Sequence, residues 1–317
     1  MKKITHAWLA FMAVKRLMEA ELSAKDRATA DVLVKFFMDH KDDVTQGAWY
    51  PDDVYRDNST AHVYKLTPSK TETAAFRKLP STYEVLKLTE TSALRADSFT
   101  VAKGSNLPNR CEAIAHSIVD NLRILASEAK GSPVAVTSNH IALIMFSLSH
   151  YIADGHVPFH ADARQFSEGD DVHGKLEAVW EDEIKKFYET DISNERFHYD
   201  LKGLPLRNSK LDNEYQNSFL SDVEHNIAKR RFIHSYGADN DNILEFSTAL
   251  CHHAYLLSFE FIPQQYDHKN VPKDTWHSLG AVSLEKVNTA VLSDAVDSIA
   301  RVWLRIWARH LNWVKKQ

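Results

Sequence analysis

The chain is poor in the residues that punctuate turns. It has 9 glycines and 9 prolines in 317 residues, where ordinary usage gives roughly 7% glycine and 5% proline. Few turn formers imply few turns per residue and therefore long helices. Cysteine is scarcer still, with Cys111 and Cys251 the whole complement. Two cysteines exclude a disulfide framework and a thiolate zinc site, and both read as small buried hydrophobes. An excess of one charge is missing too: 38 Lys+Arg stand against 43 Asp+Glu, a net charge of −5. That balance, with 10% aromatics, is wrong for a disordered chain and unsuited to electrostatic capture of duplex nucleic acid. No apolar run approaches the roughly 18 residues of a membrane-spanning helix; the best, 141–146, is cut short by Ser147. A soluble, well-cored chain is expected.

The first residues have the outline of an export signal, Met1-Lys2-Lys3 followed by an apolar stretch. His6 interrupts that stretch, Lys15 and Arg16 follow it, and no small-residue cleavage site comes after. The segment therefore reads as a first helix and not as a cleavable signal peptide. Cytoplasmic synthesis is expected, with a non-classical export route left open.

Helical periodicity dominates the rest, and strand-like alternation never lasts beyond about four residues. Helices are expected over 4–22, 25–40, 84–96, 110–130, 138–153, 172–189, 213–233, 241–261 and 283–314. The second should turn Val32, Leu33, Phe36 and Phe37 to the core, and the last Trp303, Ile306, Trp307 and His310. Residues 47–60 read as a polar loop broken by Pro51. Thr137 and Ser138 are candidate caps for the most apolar helix, which should be central. Pro158 ends any helix running through Asp154. With no linker, repeat or low-complexity tract, residues 1–317 read as a single all-α domain of about eight to ten helices.

Histidine is what the chain has in excess, 17 residues against 9 glycines. The densest stretch runs from His150 through Asp154 and His156 to His160. His150 and Asp154 are four apart and share one helix face, so an imidazole and a carboxylate can grip one ion. Gly155 and Pro158 turn the chain and bring His160 back to the same region. His173 and Glu177 repeat the four-residue spacing on a further helix. Imidazole and carboxylate without thiolate suit catalytic zinc better than structural zinc, because such sites keep a position open for water. His6 at the head of the first helix, Asp52 after Pro51, and His62 complete the set.

In this order the residues resemble the superfamily of zinc-dependent phospholipases C and single-strand-specific zinc nucleases. The likeness covers the N-terminus to about residue 183. Its most specific part is the His-Tyr-x-x-Asp-x-x-x-Pro-x-His run of 150–160. The resemblance implies an all-α fold with a three-zinc site at one end of the helix bundle. It implies that Asp52, His62, His150 and Asp154 hold one ion. Asp154 then bridges to a second ion held by His6 and the chain's own amine and carbonyl, while His160, His173 and Glu177 hold the third. The family's mature first residue is typically Trp; here Met1 stands five residues before His6, so its amine is the expected ligand.

The chemistry so implied is hydrolysis of a phosphodiester by a zinc-activated water, with Asp52 as general base. His156 reads either as a group orienting a ligand carboxylate or as a solvated loop histidine. The preferred substrate is a phosphatidylcholine-like phospholipid at a membrane or micelle surface. The His-Tyr-Ile-Ala-Asp run is closer to the phospholipase side, the nuclease branch's usual cysteines are absent, and Tyr50, Tyr55, Asp52 and Asp53 could cradle a choline cation. The alternatives are a single-strand nuclease or 3′-nucleotidase on the same metal core, and a non-catalytic zinc-binding helical protein. Oligomeric state leaves no signal in the sequence.

Overall fold

A computed structural model describes residues 1–68, 99–128, 135–164, 172–191, 196–233, 242–261 and 284–316. The helix expected over 84–96 lies outside them. The fold is all-α. Among the described residues the long helices are α1 (Lys3–Glu19), α2 (Ala24–Asp39), α5 (Leu107–Glu128), α6 (Ser138–Asp154), α8 (Val172–Phe187), α10 (Phe219–Lys229), α11 (Ile243–Phe261) and α12 (Leu284–Val314). Shorter turns of helix are α3 (Lys41–Gly47), α4 (Tyr50–Asp53), α7 (Pro158–Ala161) and α9 (Asp212–Tyr215). No described helix is long and apolar enough to cross a membrane.

Local chemistry explains the boundaries. The Ser23 side chain accepts the Asp26 amide at 3.2 Å to start α2, and Thr137 accepts the His140 amide at 3.1 Å to start α6. Both meet orphan amides that the first turn leaves open. Residues 47–60 are not a loop throughout: Pro51 lies in the first turn of α4, where its missing N–H costs nothing, and a 3₁₀ turn covers Ser59–His62. The helix expected over 213–233 is two, α9 and α10, because Ser218 caps a fresh start by accepting the Ser221 amide. Two small antiparallel pairs also occur: β1 (Leu66–Pro68) with β2 (Phe99–Val101), and β3 (Thr190–Asp191) with β4 (Arg196–Phe197). Strands of two or three residues are too short for alternation to register.

Helix α6 is central as its composition predicts, packed by α1, α3, α5 and α12. Its residues from Ile144 through Asp154 are all buried. The Trp303 ring of α12 lies 4.5 Å from Phe37 and 5.1 Å from Phe146, and its indole N–H donates to the Met145 carbonyl at 2.9 Å. Leu33 and Phe37 are buried as expected, but Val32 faces water at 50% exposure. Cys111 and Cys251 are buried and unbridged.

Helix α3 meets α6 at Gly47, where a Cβ would lie 2.4 Å from the Leu143 carbonyl oxygen and 2.8 Å from the Phe146 Cβ. Only hydrogen fits there. Gly47→Ala should therefore destabilise the protein by about 1–3 kcal/mol, the usual cost of overpacking, seen as a lower thermal midpoint by circular dichroism. An unchanged midpoint would mean that α3 is free to shift away from α6.

Candidate metal centre

Five histidines and three carboxylates from widely separated segments meet where α6 ends and α1 begins. His150 and Asp154 occupy the last turn of α6, and the chain turns through Gly155 into α7, which carries His160. His173 and Glu177 come from α8, His6 from α1, Asp52 from α4, and His62 from the 3₁₀ turn. The Tyr64 amide donates to the His160 carbonyl at 3.0 Å, tying the segment after His62 to α7. All eight predicted residues thus lie in one cluster.

Their donor atoms fall into three groups: His6, Asp52 and His150; His62, His150 and Asp154; His160, His173 and Glu177. Within the second group, Asp154 Oδ2 lies 2.9 Å from His62 Nδ1 and 3.2 Å from His150 Nε2, and those two nitrogens are 3.1 Å apart. Asp154 Oδ1 faces the other side, 3.6 Å from His6 Nε2, 3.5 Å from His160 Nδ1 and 3.2 Å from the Met1 nitrogen. Glu177 Oε1 lies 2.9 Å from His173 Nε2, 3.6 Å from His160 Nε2 and 3.0 Å from the Met1 nitrogen. Asp154 is the hub. The Asp52 carboxylate stands at the open edge, 42% exposed, 3.6 Å from His150 Nε2 and 3.7 Å from His62 Nε2.

The charges are strongly coupled. Burial works against an Asp154 carboxylate, yet the Met1 ammonium, His150 and His160 hold its pKa well below the usual range. Glu177 is held low in the same way, against its burial, by the Met1 ammonium and His173. In return, the two carboxylates outweigh the burial of the Met1 ammonium and push its pKa up to about 11. Burial, reinforced by neighbouring positive charge, keeps His6 neutral, its pKa well below the ordinary value. Burial also lowers His160 to about 3. His62 goes the other way, because its bond to Asp154 outweighs its burial.

This donor set fits a divalent metal. A carbonyl can only accept, so the 2.8 Å contact of His150 Nδ1 with the Ala48 carbonyl puts the proton on Nδ1. In the neutral ring the Nε2 lone pair then points at Asp154 Oδ2 and His62 Nδ1, and one proton on His62 has to serve all three atoms. Their spacings of 2.9–3.2 Å are close to the ligand–ligand edge of about 3.3 Å that follows from tetrahedral zinc with bonds near 2.0–2.1 Å. His6 is buried with neither ring nitrogen hydrogen-bonded, and His160 Nδ1 is likewise unbonded, although buried polar groups normally find partners. A histidine ligand whose other nitrogen donates to a backbone carbonyl is the usual supporting arrangement at metal sites.

No family model matches the chain, and no curated protein does. Among solved structures, the chain is similar to Clostridium perfringens alpha-toxin from an avian strain, with a TM-score of 0.43 and 15% identity. That match covers 95% of this chain and 62% of the toxin.

Three features around the cluster correct or go beyond the sequence pattern. The Tyr151 ring lies 5.2 Å from His62 and 5.3 Å from His150, and its hydroxyl donates to Asp57, which also pairs with Arg110 at 2.5 Å. His156 neither orients a ligand nor meets solvent. It is buried, shares a 2.9 Å hydrogen bond with the Ser298 hydroxyl, and is held down to about 3 by that burial. It borders an ionic network in which Arg230 bridges Asp294 and Asp297, and Arg16 pairs with Asp297. Glu181, one turn beyond Glu177, is buried against the start of α1. Only Glu181 left a trace in the sequence, as the next member of the four-residue stripe of His173 and Glu177.

Asp57→Ala would leave the Tyr151 hydroxyl and the Arg110 guanidinium without their shared acceptor. A stability loss of about 1–3 kcal/mol is expected, read from urea unfolding of the metal-free protein. Tyr151→Phe, which keeps the ring against His62, should lose less. Equal losses would show that the Tyr151 hydroxyl bond to Asp57 carries the whole effect and that the Arg110 pair adds nothing.

Proposed function

We propose that this protein is a zinc-dependent phosphodiesterase of phospholipase C type, acting on phosphatidylcholine-like lipids at a membrane or micelle surface. The observation that carries the reading is the cluster itself: five imidazoles and three carboxylates whose donor atoms form three groups around Asp154. Neutral buried imidazoles facing carboxylate oxygens are what a divalent cation requires and what a protein core otherwise avoids. The ordered resemblance of His6 through Glu177 to the zinc phospholipase and nuclease superfamily points to phosphodiester chemistry and three ions; two donor groups follow its division, whereas His6 groups with Asp52 and His150.

Zinc in such a centre supplies Lewis acidity toward phosphoryl oxygens and brings the pKa of a water toward neutrality. The protein's own groups do the rest. Asp52 is the one carboxylate of the set at the open edge, so it can accept the proton of the attacking water while touching the cluster through His62 and His150. Buried Asp154 and Glu177 stay charged and fix the imidazoles around them. Asp53 and the exposed ring of Tyr55, edge-on to Tyr50 at 5.9 Å, offer charge and a π face to a quaternary ammonium head group. Lys3 pairs with Asp53 at the same rim.

Zinc per chain should be measured first, and then head-group release from phosphatidylcholine micelles beside cleavage of single-stranded DNA. Three zincs with head-group release are expected, and chelation should remove both the activity and, at zinc one hundred times its Kd, about 2.7 kcal/mol of stability for each bound zinc. DNA cleavage without lipid hydrolysis would move the protein to the nuclease side. Zinc without either activity would make it a binding protein, and fewer than two zincs would sink the reading.

The Met1 nitrogen, 3.2 Å from Asp154 and 3.0 Å from Glu177, belongs to the proposed donors. An N-terminal extension should therefore lower zinc content or affinity. Unchanged zinc binding by the extended chain would remove Met1 from the set.

A further inference from the structure

Helix α1 delivers His6 to the cluster but lacks a cap of its own. Lys2, its N-cap residue, makes no side-chain capping bond, and the first turn contains no acidic residue. Ile4 and Thr5 are nevertheless buried, so their amides need acceptors that water does not supply. The acceptor comes from α8. Glu181 Oε2 accepts the Thr5 amide at 2.9 Å and the Thr5 hydroxyl at 3.1 Å, while Oε1 faces the Ile4 amide at 3.4 Å. The carboxylate is itself buried; its charge is met by Lys185 at 3.0 Å and by the positive end of α1.

One stripe of α8 thus has two tasks. His173 and Glu177 enter the cluster, and Glu181, one turn further, holds the helix that brings His6. His6 follows Thr5 directly. Neither of its ring nitrogens has a hydrogen-bond partner, so its ring is placed by stacking on His150 at 3.8 Å and by where the backbone of α1 starts.

We infer that Glu181 is a positioning residue of the proposed metal centre: its carboxylate fixes the first turn of α1 on α8, so that His6 meets Asp154. The inference rests on the metal-centre reading. Glu181 itself stays out of the donor groups and acts through Thr5.

The test is titration of the metal-free full chain with Zn²⁺ alone against a chromophoric chelator, for wild type, E181A, E181Q, H6A and the E181A/H6A pair. E181A should weaken zinc binding about 10- to 100-fold, the range that partners behind metal ligands carry. E181Q keeps an oxygen facing Thr5 and should recover most of that loss. Because Glu181 acts through His6, E181A should add little in the H6A background. Zinc binding by E181A equal to wild type, or an equal loss with and without His6, would overturn the positioning role. If E181A does not fold, Thr5→Ala takes its place, with a smaller loss that should again vanish in H6A; a loss of the same size in both backgrounds overturns the role. A wild type that takes up no zinc overturns the metal centre together with this role, whereas unchanged binding in E181A overturns the role alone.

Discussion

The hydrogen bond between His150 and the Ala48 carbonyl is the contact on which the cluster depends. It decides which ring nitrogen carries the proton, and so turns the other nitrogen, lone pair outward, toward Asp154. The Ala48 carbonyl is in place because Gly47 lets α3 lie against α6 with no side chain between them. Backbone packing on one side of His150 thereby sets the chemistry of the side facing the carboxylates. Asp154 is the counterpart: its two oxygens split the imidazoles, with His62 and His150 on one and His6 and His160 on the other.

The ionic balance of the cluster follows from burial as much as from contact. A carboxylate at 1% exposure is tolerable only when positive charge or hydrogen-bond donors surround it. Asp154 has the Met1 ammonium and the His62 proton for that purpose, and a divalent cation would serve it better than either. Asp52 escapes this constraint by sitting at the rim. Position alone separates the two aspartates of one cluster into a buried carboxylate and an exposed one.

Much of this was legible in the sequence, for reasons that can be named. The scarcity of glycine and proline implied long helices, and the unbroken apolar face of 138–153 implied the central one, as found. The four-residue spacings of His150 with Asp154 and of His173 with Glu177 are local, so helical geometry alone put each pair on one face. What was not legible was non-local or conformational. The Ser298 partner of His156 lies 142 residues away, and the Thr5 partner of Glu181 lies 176 away. No local pattern encodes either contact. Pro51 does not mark a loop, because proline is tolerated in a helical first turn, and α9 and α10 share one periodicity that only the Ser218 hydroxyl, by capping, divides.

The separation between Thr5 and Glu181 also bears on synthesis. Thr5 leaves the ribosome early, but the carboxylate that accepts its amide is made only 176 residues later, roughly 10–35 s at ordinary elongation rates. Over that interval the first turn of α1 has water as its only acceptor, while the apolar remainder of the helix waits for the segments that will cover it. The nascent chain must therefore leave the first turn of α1 without its carboxylate acceptor until α8 has been translated.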